Sequence, residues 1–209
     1  QRFTTCSLFI FQEMHKEILS AEQLGLLPLL KSFSRSYYLA GGTAIGLHLG
    51  HRKSIDFDLF RNGKISPFGI IEKINRAGYS PTVMVRTEEQ MNLLVNHVKL
   101  TFLEYPFPVN PQCRFDGILR MPSLPDLAAM KAYALGRRSK WKDYADLYFI
   151  LRDHLSIEQI SRSAVVIFGN LYSEKMFRAQ LSYLNDIDYT EPVDYRVPAP
   201  PESEIRDFL

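Results

Sequence analysis

Hydrophobic residues recur at helical spacing in several parts of the chain. In residues 11–33, leucine and isoleucine predict one or two helices, and Pro28 limits the length of an unbroken one. Residues 66–78 predict another helix, which ends at Gly78. Ser123 and Asp126 have the spacing of a capping box, so a helix is expected to start there. The pattern after this point predicts helices at 123–136, 141–151, 156–168 and 173–184.

Shorter apolar stretches in the first half predict β-strands. One of them stops abruptly at Gly41 and Gly42, and a helical pattern resumes at Ala44. In another, apolar residues alternate with Asp56 and Asp58, which places both carboxylates on one face of a sheet. The predicted strands are 37–40, 55–59, 79–86 and 98–105.

These elements predict an α+β protein, because strands and helices alternate in the first half and the second half is helical. We expect a core with a mixed sheet and N-terminal helices at 1–121 and a helical subdomain at 122–185. Residues 186–209 are rich in proline and acidic side chains and are expected to be extended or disordered.

Composition and charge exclude few functions. The chain is 46% hydrophobic and 23% charged, as in ordinary globular proteins, and its net charge of +2 does not indicate nucleic-acid binding by itself. A local basic run at 137–142 includes Trp141. Apolar runs are too short for a membrane span, and the cluster at 8–11 is too short for a signal peptide, so we expect no membrane partner and a cytoplasmic location. Cys6 and Cys113 are expected to be free thiols.

The combination of a glycine turn with two nearby carboxylates carries most of the chemical information. A turn before a helix exposes N–H groups that bind phosphate oxygens, and Gly41, Gly42 and Thr43 form such a turn. Asp56 and Asp58 are suited to Mg²⁺, which takes one or two carboxylates together with phosphate oxygens. Each feature alone is usually structural. Together they predict transfer chemistry on a nucleoside triphosphate.

The segment LAGGTAIGLHLGHRKSIDFDLF, residues 39–60, resembles the first motif of the AbiEii family of nucleotidyltransferase toxins. This family belongs to the DNA polymerase β-like nucleotidyltransferase superfamily. A second block is also similar to the family, and it consists of DLAAMK at 126–131, Arg138, Lys142-Asp143 and Asp146-Leu147. The resemblance covers about residues 37–151 and implies a minimal polymerase β-like core followed by a helical C-terminal half.

The resemblance also implies roles for individual residues. Asp56 and Asp58 would bind the metal, and Lys131 would bind phosphate. Asp146 would complete the catalytic group with these three. The implied substrate-binding residues are Gly41, Gly42, Thr43, Arg52, Ser54, Arg138 and Asp143.

Several of these residues also have a structural interpretation. Lys131 could be a solvated helix residue, although Leu135 lies four positions away on the same helix. Lys142, Asp143 and Asp146 could be no more than i,i+3 and i,i+4 surface charge pairing, which is worth only tenths of a kcal/mol. For His51, a capping or surface role is the more frequent one.

One position departs from the family pattern, in which a later strand carries a third carboxylate. Here the matching stretch is Lys99-Leu-Thr-Phe102, with Thr101 at the acidic position. Glu104 has the opposite strand parity and shares its face with apolar residues. The candidate general base is therefore Asp146.

The sequence thus predicts a metal-dependent enzyme that transfers a nucleoside monophosphate from an NTP, with Mg²⁺ or Mn²⁺ as cofactor. The resemblance implies a toxin of a toxin–antitoxin system, with tRNA or another RNA as acceptor and an antitoxin protein as partner. Two alternatives stay open at this point. One is a kinase-type phosphotransferase that uses the same site, and the other is an inactive nucleotidyltransferase fold that acts as a binding module.

Overall fold

The computed structural model describes residues 14–135 and 137–209. Cys6, the apolar cluster at 8–11 and Gly136 lie outside these residues. A mixed sheet forms the centre of the described part, with its strands in the order β3-β4-β5-β2-β1-β7-β6. The strands are β1 Tyr38–Ala40, β2 Asp56–Arg61, β3 Thr82–Arg86, β4 Gln90–Val95, β5 Val98–Glu104, β6 Cys113–Phe115 and β7 Leu119–Met121.

Helices form the start and the second half of the described chain. Pro28 lies at the start of a second short helix rather than inside a long one, so the first predicted helical region is divided there. The helices are α1 Ala21–Gly25, α2 Leu27–Ser32, α3 Gly41–Leu49, α4 Pro67–Arg76, α5 Leu124–Leu135, α6 Trp141–Asp153, α7 Ile157–Phe168, α8 Glu174–Ser182 and α9 Glu202–Phe208.

The architecture is α+β, with a mixed seven-stranded sheet and a helical C-terminal half, as the sequence predicted. The helix α5 packs against α3 of the first half and against α6 and α7 of the second. Its start is the predicted one, because the N–H of Asp126 donates to Ser123 Oγ at 3.3 Å. This helix therefore connects the sheet with the helical half.

The register of the central strands determines which residues face each other. Asp58 on β2 lies opposite Ala40 of β1 on one side and opposite Thr101 of β5 on the other. Thr101 in turn lies opposite Asn92 of β4. One row of the sheet therefore runs from the end of β1, through Asp58, to Asn92.

Three strands were not predicted. The strand β4 buries Met91, Leu93 and Val95, but Leu94 between them obscures the alternation. The strands β6 and β7 have only three residues each, which is too short for a periodic signal. A further correction concerns Ile55, which was expected on the apolar face but lies before β2 with 73% of its surface exposed.

Residues 186–196, which we name the strap, belong to the tail that was expected to be extended or disordered; they contain no helix or named strand, and they pack across the site-bearing loops. The N–H of Lys53 donates to the Asp194 carbonyl at 2.8 Å, and the N–H of Asp188 donates to the Ser139 carbonyl at 2.7 Å. Beyond the strap, α9 buries Ile205 completely. The strap therefore contacts one loop from each half of the chain.

Within residues 14–135 and 137–209, no helix has the length and apolar character needed to cross a membrane. Cys113 is half-buried and has no disulfide partner among the described residues. Tyr37 and Tyr38 are buried in the core, as expected.

Candidate active site

The glycine turn begins α3 and lies directly against the carboxylate of Asp58. Gly41 is the first residue of the helix and has a φ of 68°, in the left-handed region. A Cβ on this residue would overlap the Asp58 carboxylate, with its Cγ only 2.9 Å away. Because only glycine leaves room at this position, the first N–H groups of α3 and the Asp58 carboxylate share one small space.

The next two residues connect the turn with the loop before β2. A Cβ on Gly42 would lie 2.7 Å from the guanidinium of Arg52 and 3.3 Å from Ser54 Oγ. The Thr43 hydroxyl is buried, donates to the Asp56 carbonyl and lies 2.8 Å from Ser54 Oγ. The Thr43 side chain therefore fixes the turn on β2, and only its backbone is left to hold a phosphate.

Asp56 and Asp58 lie on one face of β2, as the alternation predicted. Asp56 Oδ2 accepts a hydrogen bond from Lys99 Nζ at 2.9 Å. Burial, and then the charge of Asp56, raise the pKa of Asp58 above its ordinary value of 3.8. The two carboxylates therefore differ, because Asp56 is paired with a lysine and Asp58 forms no direct ion pair among the described residues.

This pair fits a divalent cation of the Mg²⁺ type. Two carboxylates on adjacent same-face positions leave room for phosphate and water ligands, which Mg²⁺ commonly retains. Burial and the charge of Asp56 raise the pKa of Asp58, and a cation beside both carboxylates would oppose this effect. Within the described residues, no group of three or more acidic, histidine or cysteine side chains is arranged for a metal. With two carboxylates from the protein, Mg²⁺ would complete its coordination with phosphate oxygens and water.

Thr101 occupies the place where the family pattern has its third carboxylate. It pairs with Asp58 in the β2–β5 register, so its buried side chain lies on the same face of the sheet as the Asp58 carboxylate. Glu104 lies on the other face of β5, together with Val98, Leu100 and Phe102, and these three apolar residues are buried. The departure identified in the sequence is therefore next to the carboxylate pair, and Glu104 is on the other face of β5.

Six residues form a group of charges, which we name the ionic cluster; five of them are buried, and the side chain of Arg138 is half exposed. They come from the loop after α3, from α5, from the loop after it, and from α6. The members are His51, Arg52, Lys131, Arg138, Asp143 and Asp146. Its three cations outnumber its two carboxylates when His51 is neutral, so it carries a positive charge.

Asp146 is the centre of the ionic cluster. It is fully buried, and its carboxylate accepts from His51 Nε2 at 2.8 Å and from Arg52 Nε at 2.6 Å. Lys131 Nζ lies 2.8 Å from its second oxygen, to which Arg52 also donates. Burial alone would raise its pKa, but Arg52 and Lys131 hold the pKa well below 3.8.

These contacts favour a positioning role for Asp146 over the proton-accepting role expected from the sequence. A carboxylate with a strongly lowered pKa, surrounded by three donors, is a poor general base. The structural alternatives considered for its neighbours are also corrected. Lys131 and Asp143 are buried and paired at 2.7 Å rather than solvated, and His51 is buried against Asp146 rather than a surface or capping residue.

A cleft of about 440 Å³ opens between the sheet and α5. The members of the predicted site that line it are Gly41, Asp58, Lys131 and Arg138. The others lie behind this surface or at its side, namely Gly42, Thr43, Arg52, Ser54, Asp56, Asp143 and Asp146.

The cleft also contains residues that sequence reasoning did not assign to the site. They include Lys99 of β5, Gln90 and Asn92 of β4, Tyr105, Tyr133 of α5 and Arg137 after this helix. Lys99 could have been found, because it has the same strand parity as Thr101. The residues of β4 could not, because that strand was not predicted.

The lining of the cleft has more cationic than anionic side chains. Its described residues include four cationic side chains, Lys99, Lys131, Arg137 and Arg138, and a single carboxylate, Asp58. The first two of these cations and Arg138 form ion pairs with carboxylates behind the lining. Arg137 forms no ion pair among the described residues and lies over the ring of Tyr133, at 3.5 Å from its centroid. It is therefore the lining cation that is most available to a phosphate or another anion.

The comparison with known protein families decides the identity. The profile of the family described as "Nucleotidyl transferase AbiEii toxin, Type IV TA system" matches residues 29–196, which include the glycine turn, the carboxylate pair, the ionic cluster and the strap.

The chain belongs to the AbiEii family.

A relative in sequence is an uncharacterized protein of Aquifex aeolicus (strain VF5). It is 34% identical over an alignment of 125 positions, and the alignment covers 56% of this chain and 59% of the relative. The match thus spans less than two thirds of that protein's length.

Solved structures with the same fold include two bacterial proteins of known source. MenT4, a nucleotidyltransferase toxin from Mycobacterium tuberculosis H37Rv, has a TM-score of 0.59 at 12% identity, over 88% of this chain and 78% of its own. JHP933 from Helicobacter pylori has a TM-score of 0.51 at 19% identity, over 78% of this chain and 90% of its own. A third structure, ANT(2")-Ia in complex with adenylyl-2"-tobramycin, has a TM-score of 0.52 at 16% identity, over 76% and 98%. These similarities show that this AbiEii chain has the nucleotidyltransferase fold.

Proposed function

We propose that the chain transfers a nucleoside monophosphate from an NTP to a hydroxyl acceptor, with release of pyrophosphate. The observation that carries this proposal is the contact between Gly41 and Asp58. It brings the phosphate-binding end of α3 and a metal-binding carboxylate into one site, which phosphoryl-type transfer requires. Membership of the AbiEii family supports the same chemistry.

Each part of the site has a role in this proposal. Asp56 and Asp58 hold Mg²⁺ or Mn²⁺, which when bound neutralises the charge that develops on the phosphates. The N–H groups at Gly41 and Gly42 bind the triphosphate together with the positive end of α3. Lys131 and Arg138 supply positive charge from the other wall of the cleft.

The remaining predicted residues position these groups. Arg52 packs against Gly42 and donates two hydrogen bonds to Asp146. Asp146 also holds Lys131, while Asp143 holds Lys131 and Arg138. The ionic cluster therefore fixes the glycine turn and the cations of α5 relative to each other.

For the acceptor, the exposed arginines after α5 favour an anionic molecule. Arg137 forms no ion pair among the described residues, and the Arg138 side chain is half exposed beside its partner Asp143. Both line the cleft and can contact the phosphates of an RNA. We propose a tRNA or another RNA as acceptor, a toxin function, and an antitoxin protein as partner, in line with the family description.

Labelled nucleotides distinguish the proposed reaction from its alternatives. Purified protein is incubated with total RNA, Mg²⁺ or Mn²⁺, and each NTP labelled at the α- or at the γ-phosphate. Nucleotidyl transfer places the α-label on the acceptor and releases the γ-label as pyrophosphate. Transfer of the γ-label would establish a kinase instead. NTP binding without transfer of either label, with every metal and nucleotide, would establish an inactive binding module, which the Thr101 departure favours.

A further inference from the structure

The face of the sheet that carries Asp58 continues on the side away from the glycine turn. Along one row, Ala40 precedes the turn on β1, Asp58 is on β2, Thr101 is on β5 and Asn92 is on β4. Adjacent strands are about 4.8 Å apart, so Asn92 is about 10 Å from Asp58 across the sheet. The glycine turn and Asn92 therefore lie on opposite sides of the carboxylate.

This order has a consequence for the direction of attack, given the proposed function on which the inference rests. In phosphoryl-type transfer the attacking and leaving oxygens are roughly in line. If the glycine turn holds the leaving pyrophosphate, the attacking hydroxyl approaches from the side of β5 and β4. The acceptor then passes over Thr101 and reaches Asn92, a distance that one nucleoside can bridge.

The side chains at the far end of this path are neutral and polar. Gln90 and Asn92 both line the cleft and are half-buried, and Gln90 Nε2 donates to Asn92 Oδ1 at 2.9 Å. Among the described residues, the Asn92 amide nitrogen and the Gln90 amide oxygen have no hydrogen-bond partner. The pair thus presents a donor and an acceptor side by side toward the cleft.

The surroundings favour a nucleobase over a phosphate as the ligand of this pair. Lys99 lines the cleft from the same face of β5 but is paired with Asp56, and Arg137 and Arg138 line the cleft from the side of α5. Leu103 lies opposite Gln90 in the β4–β5 register, and Phe60 lies opposite Leu103 in the β2–β5 register. A flat heterocycle can pack on these apolar side chains while its edge pairs with carboxamides, as unstacked RNA bases do in proteins.

We propose that Asn92 and Gln90 form an acceptor subsite that reads the nucleobase next to the attacked hydroxyl. The acceptor is then a nucleic acid with an unpaired terminal nucleotide, and the identity of that nucleotide affects transfer. Asn92 sets the preference between bases, because a carboxamide matches the hydrogen-bonding edges of some bases and not of others.

Four RNA oligonucleotides that differ only in the 3′-terminal base test this subsite. Transfer from one labelled NTP is measured on each of them for the wild type, Asn92→Leu and Gln90→Met, which keep the size of the side chains. Asn75→Leu on α4 is the control, because Asn75 is exposed and outside the cleft. We expect Asn92→Leu to raise the KM for the preferred oligonucleotide about tenfold and to reduce the difference between the four bases, at an unchanged KM for the NTP.

The outcomes separate this inference from the proposed function. An altered KM or base preference for the NTP, with acceptor discrimination intact, would assign the amide pair to the donor and overturn the inference. Transfer to a non-nucleotide acceptor alone would overturn it too, while nucleotidyl transfer itself would stand. If no acceptor is labelled at all, the proposed function fails, and fluorescence anisotropy of the same four oligonucleotides then decides the inference. Binding that Asn92→Leu leaves unchanged would refute it.

Discussion

At the scale of single residues, Gly41 and Asp58 are in direct contact, and the backbone of Gly41 is in the left-handed region. An alanine there meets two separate costs. The first is the conformational strain, about 1–2 kcal/mol, and the second is the overlap with the Asp58 carboxylate. Because the overlap displaces a metal ligand, we expect Gly41→Ala to reduce transfer by about 100-fold or more, a loss of several kcal/mol.

Gly117 provides a matched control for this substitution. Its φ of 64° is close to the 68° of Gly41, but a Cβ at Gly117 would meet no atom within 4 Å. Gly117→Ala should therefore lower the melting temperature by a few degrees and leave transfer unchanged. Equal activity of the two variants, measured with labelled NTP, would show that the contact with Asp58 does not matter for the reaction.

The carboxylate pair gives the second prediction at this scale. Asp56→Asn and Asp58→Asn should each abolish metal-dependent transfer, because loss of a metal ligand costs several kcal/mol in the transition state. Burial and the charge of Asp56 raise the pKa of Asp58, which means that its charged form is disfavoured in the folded state. Replacing it with the neutral asparagine should therefore not lower the free energy of unfolding. Transfer rates and denaturant midpoints check both parts. Full activity of the folded double variant would exclude the pair from the reaction.

At the scale of elements, Asp146 connects α6 with α5 and with the loop after α3. Replacing it with asparagine leaves Arg52 and Lys131 buried with reduced compensation. Breaking a buried ion pair in this way typically costs about 3–5 kcal/mol. We therefore expect Asp146→Asn to lower the free energy of unfolding by about this amount, measured by denaturant titration.

Asp153 on the same helix is the control for Asp146. It pairs with Arg152 at 2.7 Å at the exposed end of α6, where an ion pair contributes at most about 1 kcal/mol. The two roles considered for Asp146 also differ in the pH dependence of turnover. Replacing a positioning residue lowers turnover at every pH, whereas replacing a general base removes the decrease in turnover at acidic pH. A stable Asp146→Asn variant whose turnover no longer decreases at acidic pH would show that Asp146 is the general base.

The elements also show what the sequence could and could not reveal. The motif between β1 and β2 was predictable, because glycines, alternating carboxylates and a family resemblance coincide within residues 39–60. The amide pair was not, because β4 has a leucine at the position where a polar residue would complete its alternation. The burial of Asp146 was also hidden, since its three partners come from residues 51, 52 and 131, far away in sequence. Local patterns carry no information on such contacts.

At the scale of the whole molecule, the buried charges make stability depend on pH. Burial lowers the pKa of His51 below its ordinary value of 6.5, and Arg52 and Lys131 hold that of Asp146 well below 3.8 against the effect of burial. The unfolded chain therefore binds more protons than the folded one below these ordinary values. Stability should fall as the pH decreases below about 6.5, and more steeply below about 4.

Denaturant midpoints between pH 7.5 and pH 3.5 measure this dependence. In His51→Gln the decline between pH 7 and pH 5 should be smaller, because glutamine does not titrate and can still donate to Asp146. His154→Gln changes an exposed histidine after α6 and should leave the curve unchanged. A wild-type stability that is constant over the whole range would contradict the assignment of buried, unprotonated His51.

The course of the strap has a consequence for the slow motions of the molecule. Four backbone amides, those of Lys53, Trp141, Asp188 and Arg196, donate to carbonyls across the boundary between the strap and the two loops. If the strap detaches as one cooperative unit, all four should show the same opening free energy in native-state hydrogen exchange, below that of core amides such as Leu100. Detachment would also expose Arg52, which forms a β-bridge with Tyr195 of the strap, so the side of the ionic cluster away from the cleft would be hydrated through local unfolding. Widely different exchange energies at the four amides would mean that the two loops release the strap independently.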